Sequence, residues 1–125
     1  MFKIKDIDHI VLRTAQLQKM LDFYCNILGG HIEKEQPKLR LTQLRFGESL
    51  IDLVEVDKQP SSDRNLDHFC LRIDPFNLDS LTAYFEKHNI SINDQGPRYG
   101  AEGTGYSIYI NDPEKNTIEL KESAS

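Results

Sequence analysis

The chain has 125 residues, a formal net charge of −5 and no block of Lys or Arg. That length makes one ordinary domain with room for a real core, and the acidic balance excludes nucleic acid or an anionic membrane as the main partner. No apolar run is long enough to span a bilayer, and ordinary apolar and charged fractions exclude a disordered chain.

Met1 to Asp6 carries no apolar stretch of the kind a secretory signal needs. Cys25 and Cys70 form no paired-spacing motif. A reduced, cytoplasmic chain is the simple expectation.

Strand one is expected over about Ile4 to Arg13. Alternation places Ile10 and Leu12 on one face and His9, Val11 and Arg13 on the other. Leu17, Met20, Leu21, Tyr24, Ile27 and Leu28 then recur at spacings of three and four, the stripe of a helix with one buried face. Gly29-Gly30 ends it, because glycine accepts the left-handed conformation that follows a helix. His31 to Glu35 and Leu39 to Phe46 read as strands parted by Pro37. Gly47 turns the chain into a further strand, Leu50 to Val56. Asp52 sits at the centre of that apolar strand, a local inconsistency of the sort that falls at functional sites.

Asp57 to Asn65 is polar and rich in turn residues, and residues 58–65 read as a linker between two modules, about 4–57 and 66–122. The order then repeats. Leu66 to Ile73 is a strand, and Leu78, Leu81, Tyr84 and Phe85 mark a helix closed near Asn89. Ile90 and Ile92 suit a short strand. Gln95 to Gly105 is a glycine-rich loop, either a lid or a flexible connection. Tyr106 to Ile110 is a strand, Asp112 to Asn116 a turn with Pro113 in it, and Thr117 to Lys121 the last strand, with Glu119 between Ile118 and Leu120.

The repeat carries the chemistry. Ile7-Asp-His-Ile-Val-Leu-Arg13 corresponds to Leu66-Asp-His-Phe-Cys-Leu-Arg72, and Ile51-Asp-Leu53 to Ile118-Glu-Leu120. Each module is strand–helix–strand–strand–strand, with a His on its first strand and an acid on its last. His9, Asp52, His68 and Glu119 thus form two imidazole–carboxylate pairs, a common ligand set for zinc, iron, nickel, manganese or cobalt. Singly, each of these residues has an ordinary structural reading; it is the matching positions that point to a metal.

These stretches, with the helix signature Asp22-Phe-Tyr-Cys-Asn-Ile-Leu-Gly29 and above all Asn111-Asp-Pro-Glu-Lys-Asn-Thr-Ile-Glu-Leu120, resemble the vicinal oxygen chelate superfamily. It spans glyoxalase I, fosfomycin thiol transferases, methylmalonyl-CoA epimerase, extradiol dioxygenases and bleomycin-binding proteins. The resemblance covers almost the whole chain and is nearest to a small glyoxalase-domain branch, similar to lactoylglutathione lyase. It implies an α+β fold of two βαβββ modules in an incurved, half-open mixed sheet around a divalent metal, and a homodimer. His9, His68 and Glu119 match the three ligand positions most widely used. Asp52 matches the fourth, where the glyoxalase I branch has Glu. Being one methylene shorter, Asp52 is expected to act through a water, and Asp52 or Glu119 to move a proton.

The implied reaction is a lyase, isomerase or group-transfer step on a small oxygenated substrate, with glutathione or another thiol as a candidate co-substrate. A non-catalytic antibiotic- or toxin-binding protein of the bleomycin-resistance type is the alternative, and an extradiol dioxygenase the third reading. Arg13, Gln43, Arg45, Cys70, Arg72, Arg98, Tyr99 and Tyr109 are substrate-pocket candidates. Rim salt bridges account equally for Arg13 and Arg72, and burial as a small hydrophobe for Cys70.

Overall fold

The structure is a computed structural model that describes residues 3, 6–58 and 66–124. The chain divides into two compact units, Met1–Ser62 and Asp63–Ser125. Each holds one four-stranded mixed sheet.

Unit 1 contains β1 (His9–Thr14), α1 (Leu17–Leu21), a π-helical turn (Asp22–Ile27), β2 (His31–Gln36), a 3-10 turn (Pro37–Leu39), β3 (Leu41–Phe46) and β4 (Ser49–Glu55). The sheet order is β1-β4-β3-β2, with β1 parallel to β4 and the rest antiparallel. Alternation sends Leu12, Leu44, Ile51 and Leu53 to one face, where they are buried with Met20, Phe23 and Tyr24. Tyr24 meets Phe23 and Phe46 edge to face, at centroid distances of 4.9 and 6.1 Å.

The helix departs from its expected form. It is α-helical for five residues and then π-helical for six, with Leu28 N–H donating to the Phe23 carbonyl. The wider turn rotates Phe23 into the core, a residue that regular spacing leaves off the buried stripe. Gly29 follows at φ +87°, as expected of a helix end. Gly47, at φ +55°, opens the two-residue turn between Phe46 and Ser49.

Unit 2 repeats the order with β5 (Phe69–Ile73), α2 (Leu78–Lys87), β6 (Asp94–Gly100), β7 (Gly103–Asn111) and β8 (Thr117–Glu122), arranged β5-β8-β7-β6. The Asn77 side chain accepts the Ser80 N–H and caps α2, and Asn89 takes φ +60° just beyond it. Phe85, Ile108, Ile110, Ile118 and Leu120 form the core. Asp112 holds the β7–β8 turn by accepting the Glu114 and Asn116 backbone N–H groups.

Several expectations are corrected. β1 begins at His9 and β5 at Phe69, so residues 6–8 and 66–68 precede their strands; Ile4 lies outside the described residues. Residues 90–93 form no strand. The glycine-rich stretch is not a loop: it is the β6–β7 hairpin, closed by Gly100 opposite Gly103. Most of the expected linker, residues 59–65, also lies outside the described residues. Among those described, no helix is long and apolar enough to cross a membrane.

Candidate metal centre

In unit 2, strand register assembles the site. Cys70 and Tyr109 flank Glu119 on neighbouring strands, and Arg72 and Ser107 flank Lys121. Residues paired this way share a sheet face. His68, one residue before β5, brings Nε2 to 3.1 Å from Glu119 Oε1, while its Nδ1 lies 2.6 Å from the carboxylate of Asp67. Glu119 is buried at 6 % exposure. Ser107 Oγ donates to its Oε2 at 2.6 Å.

Burial by itself pushes the Glu119 carboxyl up. Hydrogen bonds from Ser107 and Tyr109, with the His68 ring beside it, outweigh that and hold it below the usual carboxylate range. Tyr109 is shifted up, first by burial and then by its bond to Glu119. Its hydroxyl accepts the Arg98 Nε–H at 3.2 Å, and its ring stands edge-on to His68 at 5.7 Å. Asp94 holds the other end of Arg98, 3.1 Å from Nη2.

Unit 1 has the same plan in a looser form. Val11 and Gln43 flank Asp52 in register. His9 Nδ1 lies 2.7 Å from Asp8, and its Nε2 is 3.9 Å from Asp52 Oδ2. The shorter carboxylate leaves a longer gap than Glu119 does. Asp52 is 4 % exposed and receives Gln43 Nε2 at 3.3 and 3.4 Å, while Gln36 in turn donates to Gln43 at 3.0 Å. The hydrogen bond to Asp8 raises the His9 imidazole above its ordinary value, with Asp52 adding to it.

Both histidines therefore have a carboxylate on each side. With the ring proton on Nδ1, where the Asp8 or Asp67 carboxylate can accept it, the Nε2 lone pair faces a buried carboxylate oxygen. Two lone pairs so placed repel unless positive charge, a proton or a metal ion, lies between them. This donor chemistry fits a divalent metal. Among the described residues no three His, Cys, Asp or Glu side chains form a ready-made metal cluster; each unit supplies one imidazole and one buried carboxylate.

The other candidates divide. In unit 1 Gln43 holds Asp52; in unit 2 Cys70 flanks Glu119 by register and through a hydrogen bond, and Arg98 is joined to Tyr109 beside it. Arg45 is forked onto Glu33, with two bonds of 2.8 Å. Arg72 pairs with Glu102 at 3.4 Å. Arg13 is exposed two residues from Val11, on the face of His9. Tyr99 lies on the opposite face of β6 from Arg98 and is 86 % exposed.

Sequence reading missed Asp8, Asp67, Ser107 and Lys121. The aspartates were visible as half of the repeated Asp-His pair. Ser107 and Lys121 were visible as period-two neighbours of Tyr109 and Glu119.

Residues 6–120 match the sequence model of the Glyoxalase/Bleomycin resistance protein/Dioxygenase superfamily. The chain is 32% identical to "Virulence protein STM3117" of Salmonella typhimurium, over 95% of this chain and 85% of that one. It is 29% identical to "Glyoxalase domain-containing protein RDO1" of Mycosarcoma maydis, over 94% of this chain and 68% of the other. The crystal structure of the Salmonella protein superposes with a TM-score of 0.80 at 26% identity, covering 98% of this chain and 100% of that one.

Proposed function

Because the chain belongs to the Glyoxalase/Bleomycin resistance protein/Dioxygenase superfamily, we propose that it is a metal-dependent enzyme acting on a small oxygenated molecule by a lyase, isomerase or group-transfer reaction. Members of this superfamily commonly use divalent metals. The observation that carries the reading is the paired arrangement of an Asp-tethered imidazole aimed at a buried carboxylate, His68 on Glu119 and His9 on Asp52.

In this reading His9, His68 and Glu119 hold the ion, and Asp52 serves through a water. When bound, the metal supplies Lewis acidity to a substrate oxygen. The chain does the rest. Asp8 and Asp67 hold Nδ1 of each imidazole and fix the ring plane, so that Nε2 is the nitrogen presented to the ion. Ser107 and Tyr109 hold Glu119 ionised and immobile. Asp52 takes the proton that the substrate loses and returns it, with Gln43 steadying its carboxylate. A homodimer and a cytoplasmic setting accompany the reading, and a thiol such as glutathione is its candidate co-substrate.

Metal analysis of protein purified without chelator, followed by titration with Mn, Ni and Zn salts, tests it. About one equivalent of tightly held divalent metal per chain is expected. Less than about a tenth of an equivalent, with no binding on titration, would sink the enzyme reading and favour a ligand-binding protein of the bleomycin-resistance type.

A further inference from the structure

Lys121 is a buried lysine that the metal reading does not use. It is 5 % exposed and lies on the Glu119 face of β8, flanked in register by Arg72 and Ser107. Its ammonium donates to the Gly103 carbonyl at 3.0 Å. Among the described residues no carboxylate pairs with it. The two nearest along its strand are engaged: Glu119 by Ser107 and His68, and Glu122 by the Tyr106 N–H.

The glycine-rich hairpin makes room for this side chain. A methyl group at Gly105 would stand 2.9 Å from Lys121 Nζ, and one at Gly100 would stand 3.2 Å from its Cε. Gly96 does the same for Arg98, whose Nη1 would be 2.7 Å away. The glycines thus clear space for cations on one sheet face. Glu122 Oε1 also stands 3.3 Å from that same point at Gly105, but among the described residues no carboxylate is within ion-pair reach of the ammonium, whose hydrogen bond goes to one carbonyl. Its charge is therefore only partly compensated, and a ligand anion would complete the compensation.

We propose that this face of unit 2 carries an oxyanion subsite, with the Lys121 ammonium as its floor and the Arg72 guanidinium at its rim, that takes a carboxylate, phosphonate or phosphate group of a small molecule. Two residues along a strand span about 7 Å, so the anion stands roughly that far from the group meeting Glu119. In placing both groups on one substrate the proposal rests on the metal reading; the subsite itself rests on Lys121. Cys70 lies beside it, and both cations act on its thiol.

Cys70 and the half-buried Cys25 are both free of disulfides, and Cys70 is exposed, which makes it a reporter. Iodoacetate carries a carboxylate and iodoacetamide does not, while both alkylate a thiolate by the same displacement of iodide. The ratio of their rates at Cys70, read by peptide mass spectrometry with Cys25 as reference, cancels any change in the thiol's own acidity. Lys121→Met is expected to lower that ratio roughly tenfold, Lys121→Arg to retain most of it, and inorganic phosphate to lower it in the wild type alone. A ratio that Lys121→Met leaves within about twofold, or that phosphate lowers equally in both proteins, overturns the subsite.

Should Lys121→Met not fold, the wild type and Gly105→Ala decide. No phosphate effect in the wild type, or no fall in the ratio when the added methyl displaces the ammonium, overturns it as well. Manganese titration of the same proteins reads the metal separately. A chain that binds no metal yet keeps the Lys121-dependent ratio loses the metal reading and keeps the subsite; the converse result loses the subsite alone.

Discussion

Asp52 and Glu119 occupy equivalent places, yet their surroundings differ residue by residue. Glu119 is gripped by the Ser107 and Tyr109 hydroxyls, with His68 Nε2 at 3.1 Å, whereas Asp52, among the described residues, meets a neutral amide at 3.3 and 3.4 Å and an imidazole at 3.9 Å. A carboxylate held by several donors is fixed in place, and one held loosely has more freedom to move toward or away from a bound ion. Glu119→Ala is therefore expected to weaken metal binding by at least 100-fold and Asp52→Ala by roughly tenfold, measured by calorimetric titration. Equal losses would make Asp52 a direct ligand.

Cys70 offers a pH test at the same scale. Partial desolvation of this surface thiol, with Glu119 adding to it, pushes it up to about 11, against the pull of Lys121 and Arg72. A raised value favours the neutral thiol, so the reactive thiolate accumulates only toward that pH. Its alkylation by iodoacetamide should go on rising about tenfold per pH unit from 8 to 10. A plateau near pH 9 would show an ordinary, solvated thiol. By the same sign, whatever stability the neutral thiol lends the fold is present below pH 9 and is lost as the pH climbs toward 11.

At the scale of elements, the π-turn and the glycines that follow it set how the first helix seats on its sheet. A methyl group at Gly30 would run into the Phe46 ring, while one at Gly29 would meet nothing but require φ +87°. Gly30→Ala is expected to cost about 1–3 kcal/mol through overpacking. Gly29→Ala should cost about 1 kcal/mol through backbone strain. Thermal melts should show the first as the larger drop, and Phe46→Leu should recover much of it but none of the second. A Gly30→Ala loss unaffected by Phe46→Leu would rule out the ring as its cause. The β6–β7 hairpin is the other element whose glycines matter, and there they give space to side chains rather than freedom to the backbone.

On the scale of the whole molecule, one plan is used twice with different linings. Around Asp52, unit 1 places Val11, Val54 and Leu41 where unit 2, around Glu119, places Cys70, Lys121 and Ser107. The two linings therefore differ at these three positions, while Gln43 and Arg13 keep unit 1's face partly polar, within a shared superfamily fold.

The duplicated strand–helix–strand–strand–strand order, the two histidines and the two acids were legible because periodicity and repetition are local properties of a chain. Leu12, Ile51, Leu53, Ile118 and Leu120 announced their burial by alternation alone. The hairpin at residues 94–111 was not legible, because its glycines read as a loop until the side chains they make way for are known. Neither was the π-turn, since nothing in the stripe records an extra residue in one turn. Which donor meets which acid was decided only in three dimensions. Ser107 reaches Glu119 across twelve residues, and Lys121 reaches Gly103 across eighteen. Strand register makes such contacts, and register is fixed by the packing of a whole sheet rather than by any one segment of sequence.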